Sequence, residues 1–276
     1  MKYITIPKEL TTISTRDKQG IALTYALIRS LIIDNSLKAS YPISFLAVDS
    51  GLSESSIKRY LDKLDENRLI TIDHKKGSGE YPYNVFHFPE LKEGEYSVIY
   101  PDILFDSTLS PKLRGLLLLI KLNCIAGTNH LTYGTKEKLA EILHIGKNQL
   151  TQYLNELASK GYVRLIDKTL IITNDSFPLY LTENVSNTLY KTIYDYCLSK
   201  DTVPPYKQVD ERGEDKNLTM IAAQYPDEES LRGALNKRCP TLPKNVTLAY
   251  FCQALRGMKP NQETKEYEYI IDLHFK

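Results

Sequence analysis

The sequence predicts an α+β fold, mainly α with small β wings, in which one structural unit occurs twice. Two observations predict it. "LSESSIKRYLDKLDENRLITI" (Leu52 to Ile72) and "IGKNQLTQYLNELASKGYVRL" (Ile145 to Leu165) share one pattern 93 positions apart. In both, apolar residues at helical spacing give way to the alternation of a strand. A shift of 93 places Leu46-Ala47 on Leu139-Ala140, Ile57 on Leu150, Tyr60-Leu61 on Tyr153-Leu154 and Leu64 on Leu157. Upstream, "YITIP" ending at Pro7 matches "SVIYP" ending at Pro101, one residue out of phase. Two copies of this size imply two related domains rather than a solenoid.

In the first copy, "DKQGIALTYALIRSLIIDN" (Asp17 to Asn35) carries apolar residues at helical spacing, and "PISFLAVDS" makes a short second helix. Gly51 ends it where a positive φ is cheap. Ser53 is a natural N-cap for a third helix. Ile57, Leu61 and Leu64 form its i, i+4, i+7 stripe, with Tyr60 beside them, and it ends near Asn67-Arg68. Ile70 and Ile72 then alternate, a Gly77-Ser78-Gly79 tip follows, and Tyr81, Tyr83 and Val85 alternate back as a hairpin. The second copy predicts helices near 111–126, 136–143 and 147–160, and a hairpin over 163–173 with Asp167-Lys168 at its tip. Three helices and a two-stranded wing, with a short turn between helices two and three, make a winged helix-turn-helix. The expected domains are 1–94, 95–177 and a helical C-terminal region, 178–276, with a linker at about 200–217.

Both copies resemble the winged helix-turn-helix domains of bacterial plasmid and phage replication proteins. The resemblance rests on an extended segment ending in Pro, a Leu-rich helix, "LA" in helix two and "(T/I)xxYLxxLxxxG(L/Y)(I/V)" in helix three. "VIYPDILFDSTLSPKLRGLLLLI…EKLAEILHIGKNQLTQYLNELASKGYVRLI" fits closely, and the first copy fits from "ISFLAVDSGLSESSIKRYLDKLDENRLITI". It departs by having Asn67-Arg68 where the pattern has Lys-Gly, which changes how the helix is capped. The resemblance covers about the first 175 residues. It implies double-stranded DNA as the partner, and a replication initiator or replisome organiser of a plasmid, phage or mobile element.

A helix laid in a major groove offers short polar or forked side chains opposite its apolar stripe. In the first copy that face carries Ser55, Ser56, Lys58, Arg59, Asp62 and Lys63. Arg59 suits guanine O6/N7 or a phosphate. In the second the face is Lys147, Asn148, Gln149, Thr151, Gln152 and Asn155, where Asn and Gln suit adenine. The two faces should therefore read different half-sites. Lys75 and Lys76, with His74 nearby, put cations on the first wing tip. Lys112 and Arg114 could touch the DNA backbone. A solvated helix with no partner would show similar polar faces.

Charge neither demands nor forbids DNA: Lys plus Arg is 35 against 34 Asp plus Glu, a formal net charge of +1. Residues 1–94 hold 13 basic and 12 acidic side chains, and residues 95–177 hold 9 and 8, so non-specific affinity should be modest and salt-sensitive. That balance suits a rival reading, a tandem winged-helix scaffold that binds protein; a transcriptional regulator is the rival within DNA binding. No apolar run approaches a membrane span, and the chain is expected in the cytoplasm, associated with the nucleoid. Cys124, Cys197, Cys239 and Cys252 are too dispersed for a zinc site and read as reduced, mostly buried thiols. There is no GxxxxGK[ST] loop and no HxH pair, so neither enzyme activity, metal nor cofactor is expected. His130 and His144 read as surface or capping residues.

Past Pro178 the repeat stops. "LTENVSNTLYKTIYDYCLS" predicts an amphipathic helix with Val185, Leu189, Ile193 and Tyr196 on one face. "DEESLRGALNKRC" and "NVTLAYFCQALRGM" predict two more, and "KEYEYIIDLHFK" a strand or docking tail. Self-association or a replication-protein partner is the expected use of this region.

Overall fold

The structure, a computed structural model, describes residues 3–15, 17–32, 36–75, 83–92, 94–181, 183–207 and 214–258. It is α+β and divides into two compact units, 1–179 and 180–276.

In the first unit the first copy runs β1 (Ile4–Pro7), α1 (Lys18–Ser30), β2 (Lys38–Tyr41), α2 (Ile43–Ser50), α3 (Glu54–Glu66), β3 (Thr71–Lys75) and β4 (Tyr83–His87). The second runs β5 (Tyr96–Ile99), α4 (Pro111–Leu122), β6 (His130–Thr132), α5 (Lys136–Leu143), α6 (Lys147–Ser159), β7 (Val163–Ile166) and β8 (Thr169–Ile172). After a shift of 93, α2 coincides with α5 and α3 with α6, residue for residue.

Local chemistry explains these boundaries. The Ser53 hydroxyl accepts the Ser56 N–H at 3.2 Å, which starts α3 as expected. Ile57, Tyr60, Leu61 and Leu64 are buried, and on α6 so are Leu150, Leu154 and Leu157. Gly51 closes α2 at φ +70°, and its counterpart His144 closes α5 at φ +52°. At the end of α3, Arg68 adopts φ +58° where its counterpart Gly161 adopts +78°. That is the cap difference anticipated at Asn67-Arg68, and the left-handed residue is the arginine, at a cost of roughly 1 kcal/mol.

The hairpins β3–β4 and β7–β8 form as expected. Each also gains a third strand the sequence reading did not assign, giving the orders β2-β4-β3 and β6-β8-β7.

The boundary near residue 94 separates the copies in sequence but not in their core. One continuous apolar cluster runs through both, from Ile4 to Phe177. Every residue of α1 from Lys18 to Ile28, and of α4 from Leu113 to Leu122, is buried. These equivalent helices pack on one another, and at Gly115 a Cβ would lie 2.0 Å from the backbone oxygen of Gln19. Only glycine permits that approach.

Strands β1 and β5 are also equivalents, and they pair antiparallel, Ile4 with Ile99 and Thr5 with Val98. Counted from Pro7 and Pro101, Ile4 corresponds to Val98 and Thr5 to Ile99. Ile4 thus pairs with the counterpart of Thr5, and Thr5 with the counterpart of Ile4, the reciprocal pattern of a two-fold interface. This ribbon is built like a homodimer contact within one chain.

Arg114 makes a further tie. It is 5% exposed and donates to the carbonyls of Leu104 and, at 2.6 Å, Ser50. The expectation that it touches DNA is corrected: its guanidinium satisfies buried carbonyls, one of them at the end of α2. Lys112 is exposed.

The second unit contains α7 (Val185–Ser199), α8 (Lys216–Gln224), α9 (Glu228–Arg238) and α10 (Leu248–Leu255). Asn184, Asp215, Asp227 and Thr247 cap them, each accepting an N–H of the first turn. Leu189, Ile193, Leu218, Ile221, Leu231, Leu235, Phe251 and Leu255 form the core. The face predicted for α7 is buried at Leu189, Ile193 and Tyr196, but Val185 in its first turn is 53% exposed. Helix α8 was not anticipated. Part of the expected linker is folded: Thr202, Pro204 and Pro205 are buried, the Tyr190 hydroxyl donates to the Pro205 carbonyl at 2.9 Å, and Val203 bridges Asn245. The expected tail "KEYEYIIDLHFK" lies outside the described residues.

Candidate nucleic-acid interface

Burying one stripe of an amphipathic helix leaves the other outward. On α3, Ser55, Lys58, Arg59 and Asp62 are exposed, and Ser56 and Lys63 half-buried. On α6, Lys147, Asn148, Gln149, Gln152 and Asn155 are exposed, and Thr151 half-buried. Each of the two faces therefore holds together as read from the sequence.

The polar groups of α3 are heavily engaged with one another. The Ser53 hydroxyl lies 3.0 Å from that of Ser55 and donates to that of Ser56 at 2.9 Å. Lys63 pairs with Glu66 at 2.6 Å, and Lys58 more loosely with Glu54 at 4.0 Å. Arg59 reaches outside its helix: Nη2 lies 2.8 Å from Oδ2 of Asp17, at the start of α1. Its guanidinium also lies 5.2 Å from the centroid of the Tyr60 ring, within cation–π range. Three cations on α3 meet four carboxylates (Glu54, Asp62, Asp65 and Glu66), so its field is not positive.

On α6 the same theme uses other residues. Lys147 pairs with Glu137 of α5, and the ammonium holds that carboxyl down to about 2. Gln149 donates to the Tyr153 hydroxyl at 2.8 Å, and the Thr151 hydroxyl bonds back to the Lys147 carbonyl at 3.0 Å. Asn148, Gln152 and Asn155 stand in solvent with amide groups of the type that pairs with adenine edges. The preceding helices differ outwardly too. Phe45 and Val48 of α2 are 50% and 80% exposed, where α5 carries the Lys138–Glu141 ion pair. The copies share a core and present different surfaces.

Lys75 ends β3, exposed and in register with Tyr83. Lys76, the tip Gly77-Ser78-Gly79 and Tyr81, expected in the returning strand, lie outside the described residues. The His74 ring is hydrogen-bonded to Asn84 Oδ1 at 2.8 Å. In the second hairpin Asp167 turns the chain at φ +52°.

His144 caps α5, as expected of it. His130 corrects the expectation that it is a surface or capping residue: it is fully buried, because β6 joins the sheet. Burial, and then the Lys121 ammonium, push its pKa down to about 3. Lys121 is itself buried and donates to the Thr128 carbonyl at 2.9 Å and Asn129 Oδ1 at 2.7 Å. Nothing in the order of residues distinguished this polar cluster from a solvated loop. Cys197, Cys239 and Cys252 are buried thiols and Cys124 is half-buried. Among the described residues no three of His, Cys, Asp and Glu gather to hold a metal ion, and no helix is long and apolar enough to cross a membrane.

No protein-family model, curated protein or solved structure matches the chain.

Proposed function

We propose that the chain is a sequence-specific duplex-DNA-binding protein in which each copy is a winged helix-turn-helix. In this reading α3 and α6 enter successive major grooves while the hairpins flank them. The observation that carries it is the pair of outward polar helix faces held on one shared core, whose β1–β5 ribbon pairs with two-fold reciprocity. Duplex DNA has local two-fold symmetry, and dimeric readers match it with paired helices about one turn apart. This chain has both readers in one polypeptide, so a single copy can address a composite site. The chemistry of the faces supports unlike half-sites, guanine or phosphate for Arg59 and adenine for the amides of α6.

The biological role that fits best is a replication initiator or replisome organiser of a plasmid, phage or mobile element, acting in the cytoplasm at the nucleoid. A regulator of transcription would use the same interface and differ only in where its sites lie. The second unit then serves self-association or a replication partner. A non-enzymatic role belongs to the same proposal. The second reading, a protein-binding scaffold, draws on the ion-paired cations of α3 and α6, which lower the attraction for phosphate.

The test is selection of bound fragments from random duplex, followed by binding across a salt series. The proposal expects one enriched site, and a loss of about 1 kcal/mol or more on that site for Arg59→Ala, the lower end for a bidentate base contact. Absence of enrichment, or unchanged binding by both Arg59→Ala and the Lys75/Lys76 double alanine variant, overturns it.

A further inference from the structure

The cations of the two helix faces are held by carboxylates of two kinds. Lys58–Glu54 and Lys63–Glu66 are neighbours on one helix, pairs that any solvated helix shows. Arg59–Asp17 and Lys147–Glu137 are different: each carboxylate is brought from another element, across 42 and 10 residues.

Stability does not account for the first of these. Asp17 occupies the N-cap of α1, where an aspartate ordinarily accepts an amide hydrogen, yet its side chain caps nothing. Ser110, its counterpart at the start of α4, does cap, accepting from Leu113 N–H at 3.4 Å. The Asp17 carboxylate faces Arg59 instead, in a pair whose side chains are 47% and 60% exposed. Solvent screens such a pair, so it adds little to stability. Its effect on a polyanion is larger, because it cancels the charge a phosphate would meet and leaves a carboxylate beside it.

The two copies reach this arrangement with unrelated residues. The counterparts of Arg59 and Lys147 are Gln152 and Glu54, and that of Glu137 is Ser44. What recurs is a cation on the outward helix clasped by an acid from a neighbouring element.

We infer that Asp17 and Glu137 are specificity-determining residues that hold Arg59 and Lys147 away from the phosphates of non-cognate duplex. The inference rests on reading α3 and α6 as DNA-facing. On a cognate site, base-edge hydrogen bonds offset the loss of the ion pair; on any other sequence only the backbone is offered. The carboxylates lower both affinities, and the non-cognate one more.

The test uses the full chain and fluorescence anisotropy, with a random-sequence duplex and a duplex selected by the wild type, from 50 to 300 mM KCl. Asp17→Asn, Glu137→Gln and the double variant are compared with Asp17→Glu, which keeps the charge. Each neutral variant should gain about one phosphate contact, steepening the log–log salt slope by roughly 0.9 and tightening random-duplex binding by about three- to eightfold near 0.1 M salt. Binding to the selected duplex should tighten less, so the specificity ratio falls, while Asp17→Glu keeps the wild-type ratio. Unchanged or weakened random-duplex binding in both neutral variants, beside a wild type that discriminates, overturns the inference alone. A wild type that binds no duplex overturns the reading of the interface and this inference with it.

Discussion

Replacing Gly115 by alanine adds one methyl group where α4 crosses α1. That carbon would sit 2.0 Å from the Gln19 carbonyl oxygen, 2.6 Å from its carbon and 2.9 Å from its Cα, all backbone atoms that no rotamer change can move. Ordinary contact begins at 3.4 Å, so the helices must part by about 1.4 Å. Separations of that order forfeit much of the dispersion energy along the crossing, and overpacking of this kind costs typically 1–3 kcal/mol or more. Alanine returns up to about 1 kcal/mol through helix propensity. A net loss of about 2 kcal/mol follows, a fall of roughly 4–8 °C in Tm for a unit of this size. Gly233, in α9 of the second unit, has nothing within 4 Å of the position its Cβ would take. The same substitution there should stabilise by up to about 1 kcal/mol. Urea melts followed by circular dichroism, with amide hydrogen exchange across α1 and α4, read both. If Gly115→Ala is as stable as the wild type and exchanges no faster, the joint between the copies is not the close crossing described.

Arg114→Ala strands the carbonyls of Ser50 and Leu104 in the core and should cost about 3 kcal/mol in urea melts, with Arg114→Lys recovering little because one ammonium lacks the span of the fork. His130 is neutral when folded and, with a pKa near 3, takes up its proton only on unfolding as pH falls below its ordinary 6.5. Stability is therefore fully present above pH 6.5 and declines at about 1.4 kcal/mol per unit towards pH 3, near 2 kcal/mol by pH 5; His130→Gln, measured in the same pH series, should flatten that slope. Arg68→Gly relieves a left-handed arginine and should leave thermal stability unchanged or raised by about 1 kcal/mol, whereas Gly161→Arg, at the counterpart site, should lower it similarly.

Much of this fold was legible because helix periodicity is a local signal. The Ile57–Leu61–Leu64 stripe, the Ser53 cap and the Leu46-Ala47 correspondence placed α2, α3, α5 and α6 nearly to the residue. What escaped was long-range or unpatterned. Strands "KASY" and "HLT" are too short and too polar to show alternation, and they exist because β4 and β8 offer an open edge. The β1–β5 ribbon joins residues 95 positions apart at Ile4 and Ile99. Arg114, Lys121 and His130 are types normally found outside, and only their carbonyl and amide partners make burial tolerable. Helix α8 was hidden behind a charged lead-in, and Pro204-Pro205 read as a break where both are buried and the Pro205 carbonyl accepts from the Tyr190 hydroxyl. At the interface the outward faces followed from periodicity, while the clasps of Arg59 and Lys147 did not, since each joins two elements.

Hydroxyl-radical footprinting of the wild-type chain on its selected duplex tests most directly whether one rigid core presents two readers. Two protected tracts on one face of the duplex, centred about 10 base pairs apart and both weakened by Gly115→Ala, are the predicted result. Protection confined to a single turn, or none, would contradict it.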